Sequence, residues 1–127
     1  ALAELRGRVE ATAAAAERHL DLAPCAAALR TAWEALVGYA AAIATPLSPQ
    51  ALAGATSALR AFGHAVVSWL WLDIALAAKA AGDDAFLTGK IAACRFFFEQ
   101  ETPRVRLWLD LAAAGSDTAT ALDVEGF

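Results

Sequence analysis

The sequence contains no methionine, only two cysteines, two histidines, one tyrosine and four prolines. Cys25 and Cys94 are far apart and make no C-x-x-C spacing, which excludes a disulfide framework and a cysteine zinc site. They are expected as reduced thiols, acting as small buried hydrophobes on separate helices. The closest approach to a metal motif is Glu17 with His19. Di-iron bundles use Glu-x-x-His, whose i and i+3 positions share a helix face, whereas residues two apart point in different directions. No metal site is expected. Ser57 and Ser68 lie in no G-x-S-x-G elbow, and no local Ser/His/Asp or Cys/His pattern exists, so no catalytic residue is assigned. The segment Gly82–Lys90, GDDAFLTGK, has six residues between its glycines instead of four and Ile91 where a phosphate loop needs a hydroxyl. Asp83 and Asp84 would repel phosphate, and the stretch reads as a tight turn and a helix cap.

Positive charge is also scarce. Ten basic against fourteen acidic residues give a net charge of −4 and a pI near 5.0, and the bases are scattered. No attraction to a phosphate backbone or an anionic membrane follows, so neither nucleic acid nor membrane is expected as a partner. The most apolar run, Ala65–Leu72, is bounded by His64 and Asp73 and falls far short of the roughly 20 residues of a membrane span. The opening ALAELRGRVEAT lacks the basic start and apolar run of a signal peptide and begins without methionine. A cytoplasmic location is expected, as a piece cut from a longer protein.

What is abundant is apolar residue, 59% of the chain against 19% charged, with much of the excess alanine, the best helix former. The expected fold is all-α, an antiparallel up-and-down four-helix bundle with a long hairpin of the third and fourth helices. Leu2, Leu5 and Val9 start a first helix ending near His19 or Leu20. Pro24 opens a second, carrying Leu29, Trp33, Leu36, Val37, Ala40 and Ile43, which stops at TPLSP, Thr45–Pro49. A third is predicted to run unbroken from Ser48 and Pro49 to Ala81, with Leu52, Leu59, Phe62, Val66, Trp69 or Leu70, and Ala77 facing the core. Gly82 ends it and Asp83 caps a fourth, which runs to Ala114 with a bend at Pro103. Residues 1–114 form the bundle domain and 115–127 a tail. The last two helices are longer than the first two, so a tip of roughly Trp71 to Arg95 is expected to project beyond the first pair.

An antiparallel hairpin about Gly82 and Asp83 places residues whose numbers sum to about 165 at one height. Asp73 is then within reach of Lys90 or Arg95, and His64 lies near Glu101. These are expected as structural pairs, because buried charges are normally paired. Phe96, Phe97 and Phe98 raise a different question. Successive helical side chains turn by about 100°, so three in a row cannot share one core. The core stripe is Leu87, Ile91, Cys94, Phe98, Val105 and Trp108, with Phe97 on its flank. Phe96 falls on a second stripe with Gly89, Ala92, Pro103 and Leu107. Trp69 and Trp71 also point about 200° apart, so this height is apolar all round. Phe96, Trp69, Trp71 and Leu107 are therefore candidates for an interface with another subunit or a larger body.

The order of features in the second half, Gly82, Asp83, Phe86, Lys90, Arg95, Phe96, Phe97, Pro103, Gly115 and Phe127, resembles the extra C-terminal domain of some bacterial acyl-CoA dehydrogenases. It resembles in particular those described as 3-methylmercaptopropionyl-CoA dehydrogenase-like. Cys94 stands where alanine is usual, and Thr102 where leucine usually precedes the proline. The resemblance implies a parent flavoenzyme that oxidises an acyl-CoA thioester to the 2,3-enoyl form. A glutamate of that parent removes the α-proton, and the β-hydrogen passes as hydride to FAD. Both glutamate and flavin site belong to the parent body, so no catalytic or cofactor residue is carried onto this segment. The expected role is an accessory domain that packs on the body or joins subunits of a homo-oligomer. Two other readings are a free-standing helical interaction module and a small ligand-binding bundle, the latter needing a cavity where Asp73, His64 and Glu101 converge.

Overall fold

The computed structural model describes residues 1–43, 48–118 and 121–126. Within them the regular structure is entirely helical: α1 Leu2–Glu17, α2 Ala23–Ile43, α3 Pro49–Ala53, α4 Ala55–Ala81, α5 Ala85–Gln100 and α6 Arg104–Ala114, then a short 3-10 turn at Val124–Gly126. The part of the predicted TPLSP break before Ser48, and the closing Phe127, lie outside the described residues.

Four rods run alternately up and down. They are α1, α2, α4 and the broken rod of α5 and α6. The α2–α4 pair forms the middle, flanked on one side by α1 and on the other by α5 and α6. Thr12 meets Asp73 and Trp69 while Asp21 meets Lys79, so α1 and α4 run the same way. The core gathers Val9, Ala13 and Ala16 of α1, Leu29, Trp33 and Leu36 of α2, Ala61, Ala65, Leu72 and Ala75 of α4, and Cys94, Phe98, Val105 and Leu109 from the last rod. Leu22 in the first turn connection is fully buried.

Two predicted helices are broken. The third divides at Gly54, which closes α3 and opens α4. A Cβ there would strike the Ala112 carbonyl oxygen and lie 2.9 Å from Ala112 Cα. Glycine at this point lets α6 press against the α3–α4 junction, a tertiary demand that helical periodicity does not encode. The fourth divides at Glu101–Pro103. Pro103 has no N–H to continue the ladder, and the amides of Glu101 and Thr102 both turn back to the Phe97 carbonyl, at 2.8 and 3.1 Å. The chain bends outright and restarts as α6.

Caps follow local chemistry. Ser48 accepts from the Ala51 amide at 3.1 Å, with Pro49 in the first helical turn. The cap of α5 is Asp84, not Asp83: its carboxylate accepts from the Leu87 amide at 3.0 Å. Gly82 ends α4 at φ 147 and Gly115 ends α6 in the left-handed region at φ 52.

The projecting tip is shorter than expected. The turn after α1 reaches α4 near its end, where Lys79 Nζ lies 2.9 Å from Asp21 Oδ2, and Cys25 at the start of α2 packs on Cys94. The two cysteines, predicted to stand apart, share a thiol hydrogen bond in the core. This bond holds Cys25 below the usual thiol range. Cys94 is pushed well above it, first by the same bond and then by burial.

The inward face of α4 also differs from the reading of the sequence. Its buried residues are Ala61, Ala65, Ser68, Leu72, Ala75 and Ala78, a stripe of mostly small side chains. Leu59 is 71% exposed and Leu70 45% exposed, so these two members of the stripe assigned to the core point outward, while Val66 and Trp69 pack against the core as expected. By length and composition alone, α4 is apolar enough to cross a membrane, which the short Ala65–Leu72 run had concealed because flanking alanines extend it. Its small-residue face is packed against four helices, and Trp69 and Ser68 hydrogen-bond to α1 and to the α5–α6 corner. Those features are those of a core helix.

Candidate interaction surface

At the α5–α6 corner the polar groups form a closed set. His64 Nε2 and Glu101 Oε2 are 3.0 Å apart, as the hairpin register predicts, and Arg104 Nε approaches the same oxygen at 3.6 Å. The His64 ring stands edge-on to Trp108, centroids 4.3 Å apart, with Phe97 beyond. Ser68 Oγ donates to the His64 carbonyl at 2.7 Å. Its single proton being used, Thr102 Oγ1 is the donor in the 2.8 Å bond between the two hydroxyls. Thr102 and Ser68 are both buried, so this bond ties the bend to α4. Thr102, where leucine is usual, has its physical reason here.

The second expected pair is absent. Asp73 turns to α1, where Thr12 Oγ1 lies 3.5 Å from its Oδ1, and neither Lys90 nor Arg95 pairs with it. Lys90 Nζ instead sits 5.0 Å from the Phe86 ring centroid, a cation–π contact. Arg95 lines a cleft with Asp21, Cys25 and Glu99. Asp73 lies on the α1 flank of α4, while His64 faces the opposite rod. The convergent triad of Asp73, His64 and Glu101 required by a ligand-binding bundle is therefore not formed.

The tryptophans find partners inside the chain. Trp69 Nε1 donates to Thr12 Oγ1 at 2.8 Å on the α1 side, and Trp71 meets Phe97 across the hairpin, centroids 6.4 Å apart. Both are half-buried against the core. The roughly 200° between them thus serves the two flanks of a central helix. Phe96 and Leu107 differ: they are 64% and 56% exposed, on the outer sides of α5 and α6. Joined to them are exposed residues that the sequence reading had placed in the core or passed over, Leu59, Val67, Leu70 and Ile74 of α4 and Leu111 of α6.

Two cavities test other chemistry. One, about 250 Å³, lies between α2 and the α5–α6 corner, lined by Ala28, Ala32, Ala35, Phe98, Thr102 and Arg106. It is smaller than the roughly 300 Å³ at which small-molecule sites begin. The other, about 620 Å³, lies between Ser48–Gln50 and Gly115–Asp117; its lining carries Asp117 and no cation, so the diphosphate of a flavin dinucleotide has no counter-charge there. Neither fits FAD. Among the described residues no group of three His, Cys, Asp or Glu could hold a metal ion.

Helical bundle, broken last rod and outward aliphatic face are now joined by a comparison. A family model described as acetyl-CoA dehydrogenase C-terminal like matches residues 5–123. The chain belongs to this family. Searches of curated proteins and of solved structures return no match. Membership makes the chain an acyl-CoA dehydrogenase C-terminal domain, an accessory part of a dehydrogenase, and all the described helices up to Ala114 fall within the matched span apart from the first three residues of α1.

Proposed function

We propose that the chain is the non-catalytic accessory domain of an FAD-dependent, cytoplasmic acyl-CoA dehydrogenase of the 3-methylmercaptopropionyl-CoA dehydrogenase-like group. It joins protein bodies through the outward faces of α4, α5 and α6, either on its own parent body or between subunits. The observation that carries this reading is the family match together with the inverted packing of α4, which keeps small residues inside and leaves Leu59, Leu70 and Ile74 on the surface. FAD and the proton-abstracting glutamate reside in the parent body. Bound there, FAD would supply the hydride acceptor, and this segment's residues take no part in that chemistry. Their work is mechanical. The His64–Glu101 pair and the Ser68–Thr102 bond fix the bend of the last rod, and so set where Phe96 and Leu107 stand relative to α4.

The test is the full reading frame around this segment. Its product is expected to carry bound flavin that acyl-CoA thioesters reduce, and removal of the segment is expected to leave flavin content unchanged while weakening assembly. A frame without a flavoprotein body would refute the reading, as would micromolar binding of FAD or acyl-CoA thioesters to the 127-residue chain alone.

A further inference from the structure

The outer face of α4 carries Leu59, Gly63, Val67, Leu70 and Ile74, with Val66, partly packed on the core, at their edge, all within about 50–60° of one line down the helix at 100° per residue. No charged side chain lies on this strip: Arg60 stands at one edge, and Asp73 at the other, turned toward Thr12. From their exposures these residues offer roughly 400 Å² per copy, so two copies would bury at most about 800 Å², the size of a weak, concentration-dependent contact.

The strip is self-complementary. Laid antiparallel against a second copy, with the twofold axis between Val66 and Val67, Leu59 falls opposite Ile74, Gly63 opposite Leu70, and Val66 opposite Val67. Shifting the register by one heptad either way leaves members of the six without a partner among them. Gly63 supports the chosen register. A Cβ on it would meet nothing within 4 Å inside the chain, so no internal contact requires glycine in the middle of this helix, where it costs stability relative to alanine. Opposite Leu70 it leaves a hole of the right size for a knob. The two Asp73 carboxylates would stand about 20 Å apart along the axis, beyond mutual repulsion at physiological salt.

We infer that the outer face of α4 binds the same face of a second copy of this chain in an antiparallel, twofold interface with Leu70 seated over Gly63 of the other copy. Such an isologous contact closes on itself and produces a dimer. The inference rests on the accessory-domain reading in treating this face as an interface, and it names the occupant.

The experiment uses two single variants, Gly63→Cys and Leu70→Cys, made both in the full reading frame and in the 127-residue chain. Each is oxidised alone and as an equal mixture, and the linked peptides are identified by mass spectrometry, which separates them from Cys25 and Cys94. The mixture is expected to give a 63–70 link between copies, with little 63–63 or 70–70 link in either variant alone. Leu70→Glu, and independently Leu59→Glu at the more exposed position, are expected to keep the helical circular dichroism and weaken self-association at least tenfold by sedimentation. Self-links dominating over the mixed link would overturn the antiparallel register. A monomer at tens of micromolar with no link would overturn the interface, including the case in which the parent body covers α4. Flavin content of the full-length variants reads the accessory-domain assignment separately.

Discussion

Gly54 gives the sharpest test of how the rods are assembled. Its backbone, at φ −84 and ψ −6, accommodates any L residue, so replacing it with alanine meets no conformational barrier. By chain entropy alone Gly54→Ala would stabilise the fold by about 0.4–1 kcal/mol. The added methyl, however, would collide with the Ala112 carbonyl oxygen and sit 2.9 and 3.0 Å from Ala112 Cα and C. These are backbone atoms of a helix and cannot rotate aside, so α6 and the α3–α4 junction must part by several tenths of an ångström or more. Overpacking of this kind costs about 1–3 kcal/mol. The net expectation is a loss of roughly 1–2 kcal/mol, a shift in melting temperature of about 3–8 °C for a domain of this size.

The matched control is Gly63→Ala, whose methyl meets nothing within 4 Å. It is expected to gain about 0.5–1 kcal/mol in the dilute chain. Both variants are measured by urea unfolding with far-ultraviolet circular dichroism and tryptophan fluorescence, at concentrations low enough to keep self-association out of the comparison. Opposite signs support the described contact. A Gly54→Ala variant as stable as Gly63→Ala would refute it, because the two differ chiefly in the presence of Ala112.

Leu72→Ala, at a fully buried position, is expected to cost about 2–5 kcal/mol in the same unfolding assay, whereas Leu59→Ala, 71% exposed, should stay within about 0.5 kcal/mol. Thr102→Val removes the donor to Ser68 and is expected to cost about 1–3 kcal/mol, with Ser68→Ala in that background adding less than it does alone, because the bond is already gone. Asp21 and Glu10 are held below the ordinary carboxylate range by hydrogen bonds to Lys79 and Arg30. Their contribution is therefore complete above the unfolded pKa and is lost as pH falls through the lower folded one. Asp21→Asn should cost under about 1 kcal/mol at pH 7, and that difference should vanish in acid below the folded pKa of Asp21, as read from unfolding midpoints against pH. Cys94, buried and pushed up, is expected to resist alkylation in the folded chain and to react once the chain is unfolded in urea, checked by mass spectrometry.

The order of the four rods and several of their ends were readable from local chemistry. Ser48 with Pro49, Gly82 and Gly115 stop or start helices through their own backbone, so no distant residue is needed to see their effect. The hairpin register also followed from the position of its turn, which brings His64 to Glu101. Apart from the cap of α5, which fell on Asp84 and not Asp83, the failures involve what lies across from a residue. Gly54 looks like a tolerated glycine until Ala112 is placed beside it. Pro103 foretold a bend, but the full break depends on Thr102 finding Ser68 on another helix. Asp73 had a cation at the right height on α5, yet it stands on the opposite flank, toward α1, because its rotation about α4 is set by which stripe faces inward.

That choice of stripe is the deepest ambiguity in the sequence. Along α4 the small residues Ala61, Ala65, Ser68, Ala75 and Ala78 recur with helical spacing as regular as that of Leu59, Val66, Leu70 and Ile74, and hydrophobicity alone favours the larger set. Packing decides otherwise. A helix in contact with α1, α2, α5 and α6 together has little room for leucines on its inner face, since axes separated by small side chains approach toward 8 Å and those separated by large ones stand nearer 10 Å. Rotating α4 to bury Leu59 and Leu70 would push its neighbours apart and pull Trp69 from Thr12 and Ser68 from Thr102. Leu59, Leu70 and Ile74 thus have no place within their own bundle. Burying at most about 800 Å² of such surface between two copies is worth roughly 20 kcal/mol before costs, against an association cost of about 4–15 kcal/mol. The balance leaves room for a concentration-dependent dimer even after imperfect packing. It also explains how one helix can hold a small-residue seam for folding and a large-residue strip for assembly without either weakening the other.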